Sequence, residues 1–377
     1  MIEKSKLKRE CHVNNIFLLH RVQSCLLHNG NKIQPFLNRY KQINRSTTMN
    51  IILLPLLLFL VSPYPTHAND KIQSTSTSSS SSCFPSTPDL DPKTYNKHMI
   101  SGMHAYNTAW SNYANDSPKF YSTIIQAVSH FRQAMEMTTP DTPMHESALW
   151  QLSVTLAYIE SREEIIDFYN VPVTSNWSEA LLYPLRRRRS TGLILELGVG
   201  DGFTLKILDT ELTRSGVTSI IHGFDSFYGL PSAWGGESSL ISQQYPQGYF
   251  NRQGIPPQSL PPRVKLHIGM LKDTLPNFVN EMILIHSSTI KIAFLHIDVD
   301  IYSSTWEALA SLSCLFAKGT VIEFDEALGY LNWKNSGEWR AFVEFSNLYR
   351  VQWKPISTYK MRLAINITDD DVFCTGI

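Results

Sequence analysis

The chain has 377 residues, and 33 Lys and Arg balance 33 Asp and Glu, so no overall charge draws it toward nucleic acid. A hydrophobic fraction of 43% supports a sizeable core, and the length suits one or two globular domains. Charge is uneven only at the start, where residues 1–48 carry nine Lys or Arg against two Glu with no long periodic pattern.

Met49-Asn50 opens an apolar run, 51–62, that ends near Thr66-His67-Ala68. It has the length and finish of a secretory h-region and is shorter than the ~20 residues of a membrane span. Residues 49–68 therefore read as a signal peptide or a short membrane anchor. Either Met49 is the start, or residues 1–48 form a cytoplasmic tail. The expected location is the secretory pathway, or the cytoplasm if the leader is not used. A Ser-rich linker, 69–93, follows. Sequons at Asn115, Asn176 and Asn366 agree with secretory routing, and Cys83 and Cys374 could pair in an oxidising lumen. Cys314 reads as a core thiol.

Residues 94–190 read as a helical subdomain, with helices over 95–113, 120–137 and 145–169. The breaks fall at Ser117-Pro118 and at Thr138-Thr139-Pro140-Asp141. An acceptor-binding or dimerising cap, and hence a homo-oligomer, is one reading; a plain helical subdomain is the favoured one. Arg186-Arg187-Arg188-Arg189 precedes the first strand and reads as a solvated loop rather than a cleavage or localisation signal.

Residues 191–377 carry the chemistry. Leu193 to Leu197 is a buried strand running into Gly198-Val199-Gly200-Asp201-Gly202, and a helix follows with Leu205, Leu208 and Leu212 on one face. A second strand, 219–224, ends in Asp225, the usual place for a partner of ribose hydroxyls. A third, 264–268, ends in Gly269-Met270. Two more apolar runs end in acids, at His296-Ile297-Asp298-Val299-Asp300 and at Glu323-Phe324-Asp325-Glu326. An amphipathic helix over 304–316 lies between them. The order implies a doubly wound, mostly parallel α/β sheet, whose carboxyl edge receives both acidic pairs. Carboxylates crowded there repel unless a cation sits among them, and hard oxygen ligands suit Mg²⁺, Mn²⁺ or Ca²⁺. Strand alternation turns His296 away from the neighbours of Asp298, so it reads as a core histidine, as do His222 and His267.

Glu196-Leu-Gly-Val-Gly-Asp-Gly resembles motif I of class I S-adenosylmethionine (SAM) dependent methyltransferases. The wider pattern resembles the macrocin O-methyltransferase (TylF-like) family of metal-dependent sugar O-methyltransferases. It is carried by Phe224 to Pro231, Gly269 with Lys272 to Pro276, Ile297 to Thr305, and Asp325-Glu326, within residues 192–365. The resemblance implies a Rossmann-like SAM methyltransferase fold. It implies that Glu196, Gly198, Gly200 and Gly269 surround the donor, that Asp225 holds its ribose, and that Asp298, Asp325 and Glu326 bind a divalent metal, Mg²⁺ by expectation. Asp300 would be the general base toward a sugar or glycan hydroxyl. Glu326 departs from the family, which has a second Asp there. Trp234 to Arg252 occupies the place of an acceptor-binding insertion.

Two other readings stay open. Asp298-Val299-Asp300 could be the Asp-x-Asp of a GT-A glycosyltransferase, against which stand the glycine loop, Asp225 and the second acidic pair. The chain could instead be a non-catalytic glycan-binding module of the same fold, against which stands the retention of all four acids.

Overall fold

The computed structural model describes residues 92–369 apart from 113–116, 141, 236–243 and 287–288. The basic leader, the apolar run 49–68, nearly all of the Ser-rich linker, Cys83, Cys374 and the Asn115 sequon lie outside the described residues. No helix among those described is long and apolar enough to cross a membrane.

Three helices come first: α1 (Pro92–Asn112), α2 (Ser117–Glu136) and α3 (Pro143–Ser161). The helix α1 begins inside the stretch expected to be linker. Pro118 sits in the first turn of α2 instead of breaking it, because a proline there lacks an N–H that the helix would leave unpaired anyway. The break at 138–141 is real: Thr142 caps α3, its hydroxyl accepting from the His145 N–H at 3.3 Å. The expected third helix stops being α-helical at Ser161 and continues as a wide π turn, Arg162–Asp167. Small residues let the three helices approach, and a Cβ on Gly102 would lie 2.6 Å from the Phe131 ring.

The sheet body begins after α4 (Trp177–Leu185). It runs β1 (Leu193–Leu197), α5 (Phe203–Arg214), β2 (Ile221–Asp225), β3 (Val264–Ile268), α6 (Leu271–His286), β4 (Ile292–Ile297), α7 (Tyr302–Leu312), β5 (Val321–Phe324), α8 (Gly337–Leu348), β6 (Trp353–Tyr359) and β7 (Arg362–Ile367). The helix expected over 304–316 is α7 plus a 3₁₀ turn, Ser313–Leu315, and starts two residues early. The seven strands lie in the order β3-β2-β1-β4-β5-β7-β6. The first five are parallel, and β7 runs antiparallel to both of its neighbours.

Strands buried on both faces read as continuous apolar runs, and β1 and β4 are buried along their whole length. Alternate residues serve opposite helix layers. Leu193, Leu195 and Leu197 pack with Phe278 of α6, Leu309 of α7 and Phe342 of α8, while Ile194 packs with Leu181 of α4 and Leu205 of α5. This is a three-layer, doubly wound, Rossmann-like α/β fold with a helical N-terminal region. The chain order reverses between β1 and β4, the switch point at which such sheets open a crevice.

The N-terminal helices grip the loop after β5. Lys334 bonds Glu160 at 2.8 Å and also contacts Glu164 on the π turn, and Trp333 Nε1 donates to Glu160 at 3.1 Å. A Cβ on Gly329 would meet the Tyr158 ring at 2.4 Å. The arginine run is an exposed turn, as expected, but its side chains are engaged. Arg186 bridges Glu179 at 3.1 Å and Glu211 at 2.8 Å. Arg187 lies 3.3 Å from the Tyr183 ring centre, and the Arg188 guanidinium donates to the Leu185 carbonyl at 2.7 Å. Cys314 is half-buried rather than a core thiol. Asn176 is exposed and caps α4, its side-chain oxygen accepting from the Glu179 N–H at 3.0 Å, whereas Asn366 lies within β7.

Candidate active site

A cavity of about 480 Å³ opens at the switch point, within the size range of small-molecule sites. Gly198, Gly200, Asp225, Gly269, Asp298 and Asp300 all line it. Backbone bonds beyond the ladder hold the strand tips together. The Asp298 N–H donates to Leu197 O at 2.9 Å, the Asp325 N–H to Ile297 O at 2.9 Å, and the Gly269 N–H to Asp225 O at 3.0 Å.

Gly198 has φ +84°, and a Cβ there would lie 1.7 Å from the Asp298 carbonyl oxygen. Only glycine lets the β1 and β4 tips come this close. Gly200, with φ +54°, has nothing within 4 Å of a built Cβ, so it leaves open space toward the cavity. Asp225 organises this loop. One carboxylate oxygen accepts from the N–H groups of Val199 and Gly200, both at 2.9 Å, and the other from Phe227 N–H at 2.7 Å. A carboxylate has about four acceptor positions, so three N–H groups leave roughly one.

Glu196 is placed differently from the expectation. It does not line the cavity. It is fully buried, and on β1 it shares the Ile194 side of the sheet, the side covered by α4 and α5. There His296 stands beside it at 3.5 Å. His296 also lies within ion-pair distance of Glu323, at 2.9 Å, and approaches Asp325 at 3.4 Å. Arg362, from β7, contacts Glu323 at 3.3 Å, pairs closely with Asp325, and lies 4.4 Å from the Trp177 ring centre. His296 is thus a core histidine, as read, but an ionic one. Burial disfavours its charged form, yet Glu323 and Glu196 outweigh that and raise its pKa to about 10. Burial likewise opposes Glu323, but Arg362 and His296 prevail and lower its pKa. Replacing Arg362 with Met should leave buried Glu323 and half-buried Asp325 with His296 as their remaining partner, and cost about 3–5 kcal/mol of stability. A denaturation midpoint unchanged from wild type would contradict that.

The acidic turns form two groups that share Asp298. Ligand atoms of Asp298, Asp300 and Glu326 lie within 4.8 Å of one another, as do those of His296, Asp298 and Asp325. The expected set of Asp298, Asp325 and Glu326 is therefore divided, because Asp325 faces Arg362 and His296 while Glu326 faces the other acids. In the first group burial is the leading cause of raised pKa values: Asp298 rises to about 8, Asp300 to about 7, and Glu326 well above the usual carboxylate range. Asp298 and Asp300 also push the Glu326 pKa upward. One buried oxygen of Glu326, Oε2, has no hydrogen-bond partner. An orphaned oxygen among mutually repelling hard donors fits a divalent cation.

Asp300 has φ +61°, a conformation non-glycine residues seldom adopt and one that collects at functional sites. The insertion after β2 covers this end of the cavity. Trp234 is buried with ring centres 5.0 Å from Tyr245 and 5.6 Å from Tyr330, and Phe250 lines the cavity. Burial is the main cause of a raised Tyr245 pKa, with Asp300 and Glu326 adding to it. His222 and His267 lie away from all this, joined to each other at 3.0 Å.

Two residues of the site carried no signal in the sequence reading. Arg362 follows a turn in an unread hairpin. Glu338, in the first turn of α8, is fully buried and accepts backbone N–H groups from both acidic turns. An acid in the first turn of a helix reads as a partner of the helix dipole, and nothing in its spacing points to loops so far away in the chain.

No family model matches the sequence, and no curated protein matches it. Among solved structures the chain is similar to the calicheamicin methyltransferase CalS11, at 20% identity and a TM-score of 0.36, covering 67% of this chain and 94% of that one. It is similar to the O-methyltransferase NovP at 18% identity and a TM-score of 0.37, covering 59% and 99%. It is also similar to the methyltransferase PaMTH1 of Podospora anserina at 15% identity and a TM-score of 0.31, covering 58% and 88%.

Proposed function

We propose that the protein is a SAM-dependent O-methyltransferase that uses a divalent cation, Mg²⁺, and acts on a sugar or glycan hydroxyl. The reading rests on one observation: the glycine loop after β1 and the acidic turn after β4 wall a single cavity, with Gly198 packed on the Asp298 backbone. In this reading Gly198, Gly200 and Gly269 leave backbone room for the donor, and Asp225, which already shapes the loop, offers its remaining acceptor position to the ribose. Asp298 and Glu326 would hold the cation, with Asp325 joining them if its pairing with Arg362 yields. The cation, when bound, supplies a lowered pKa to the oxygen it polarises. Asp300 would accept the proton of the acceptor hydroxyl at a carboxylate oxygen as that hydroxyl attacks the sulfonium methyl. The rigid strand tips align the two reactants. The covering insertion, rich in Trp and Tyr, shields the reacting atoms from water. The leader and the exposed Asn176 sequon support a place in the secretory pathway.

Thermal denaturation with added ligands tests the reading. SAM alone should raise the melting temperature, and at about 100 times its Kd the gain should be near 2.7 kcal/mol. A shift that needs both metal and a uridine diphosphate sugar would favour the glycosyltransferase instead. No response to either, with glycan binding intact, would leave the non-catalytic module.

A further inference from the structure

We infer that Glu338 is the positioning residue of this site: its carboxylate ties the two acidic turns to each other and thereby sets the spacing of the cation ligands. The inference rests on the cation reading above. One oxygen, Oε1, accepts the N–H groups of Val299 at 3.2 Å and Asp300 at 3.3 Å, and the other, Oε2, accepts the Glu326 N–H at 3.1 Å. The two turns leave different strands. The ladder fixes the β5 tip only as far as Asp325, whose N–H bonds Ile297 O. Beyond that point the tie on the Glu326 backbone runs to Glu338. Asp300, held in its left-handed conformation, is tied from the same carboxylate.

The start of α8 is built to bring this side chain in. Gly337 has φ +61°, and a Cβ there would lie 2.1 Å from the Tyr330 hydroxyl and 3.0 Å from the Asp300 carbonyl oxygen. Tyr330 Oη in turn donates to Ser336 O at 3.0 Å. A fourth buried carboxylate beside Asp298, Asp300 and Glu326 is an electrostatic burden for packing alone. Its value lies in two oxygens on one rigid fork, each facing backbone N–H groups of a different turn. A Gln of the same shape has one acceptor. If its oxygen serves Val299 and Asp300, its amide N–H groups confront the Glu326 N–H, and that tie is lost.

The test compares the full chain with Glu338→Gln and Glu338→Asp by Mn²⁺ titration, amide hydrogen exchange and SAM binding. Glu338→Gln should weaken Mn²⁺ binding by about 10–100-fold, the effect usual for residues that orient metal ligands. Exchange should quicken at Glu326, or at Val299 and Asp300, while SAM affinity stays within a few-fold. Glu338→Asp keeps both acceptors on a shorter stem and should fall between; it carries the test if the Gln variant does not fold. Mn²⁺ affinity within twofold of wild type, with unchanged exchange at all three amides, would overturn the inference. If the wild type binds no Mn²⁺, the cation reading fails, and amide exchange alone decides whether Glu338 holds the turns.

Discussion

Replacing Asp300 with Asn should lower turnover by about 10²–10⁴-fold, the usual contribution of a positioned base. The substitution isolates the chemistry well. Asp300 has φ +61°, and Asn is among the few residues that tolerate that region, so the backbone has no new reason to move. The side-chain volume is kept, and the repulsion among Asp298, Asp300 and Glu326 falls, so the variant should be at least as stable as wild type. SAM affinity should stay within a few-fold, because the glycine loop and Asp225 are untouched. Single-turnover methyl transfer at saturating donor measures this directly. A variant with full activity would remove Asp300 as the base and leave it only a place among the cation ligands.

The second large effect is expected at Gly198. Alanine there would put its Cβ 1.7 Å from the Asp298 carbonyl oxygen, a backbone atom that has no side chain to rotate away. The φ of +84° adds strain of about 1–3 kcal/mol for any residue with a Cβ. Gly198→Ala should therefore yield little folded protein, or a folded form that has lost both donor and Mn²⁺ binding. Gly200→Ala is the matched control, since nothing lies within 4 Å of its built Cβ. It should fold and lose about 1–2 kcal/mol from the left-handed backbone alone. Equal melting temperatures for the two variants would contradict the close packing of the β1 and β4 tips.

Much of the sheet was legible in the sequence because its strands are buried on both faces. Ile292 to Ile297 and Leu193 to Leu197 are apolar runs broken only by His296 and Glu196, and each is followed by glycine or acid, where the chain turns at the carboxyl edge. The β6–β7 hairpin was not legible. Pro355 and several polar residues interrupt its pattern, and its turn at Lys360-Met361 lacks glycine. With it went Arg362, and so the pairing that draws Asp325. Glu196 was misplaced because a strand-end acid beside glycines invites a ligand role, whereas its partner, His296, is supplied by a strand far along the chain. The arginine run was legible as an exposed turn, but the pairing of Arg186 with Glu179 and Glu211, on helices either side of it, was not. The partners His296, Arg362 and Glu211 are long-range, and local pattern carries no record of them.

The contact between Gly198 and the Asp298 backbone also bears on ligand order. In the proposed reading, a donor on the glycine loop and a cation on the neighbouring turn would meet across this contact and so share one free energy of interaction. That energy is symmetric: whatever factor Mg²⁺ contributes to SAM affinity, SAM must contribute to Mg²⁺ affinity. If that factor exceeds one, loading with the proposed donor would itself help recruit the proposed metal.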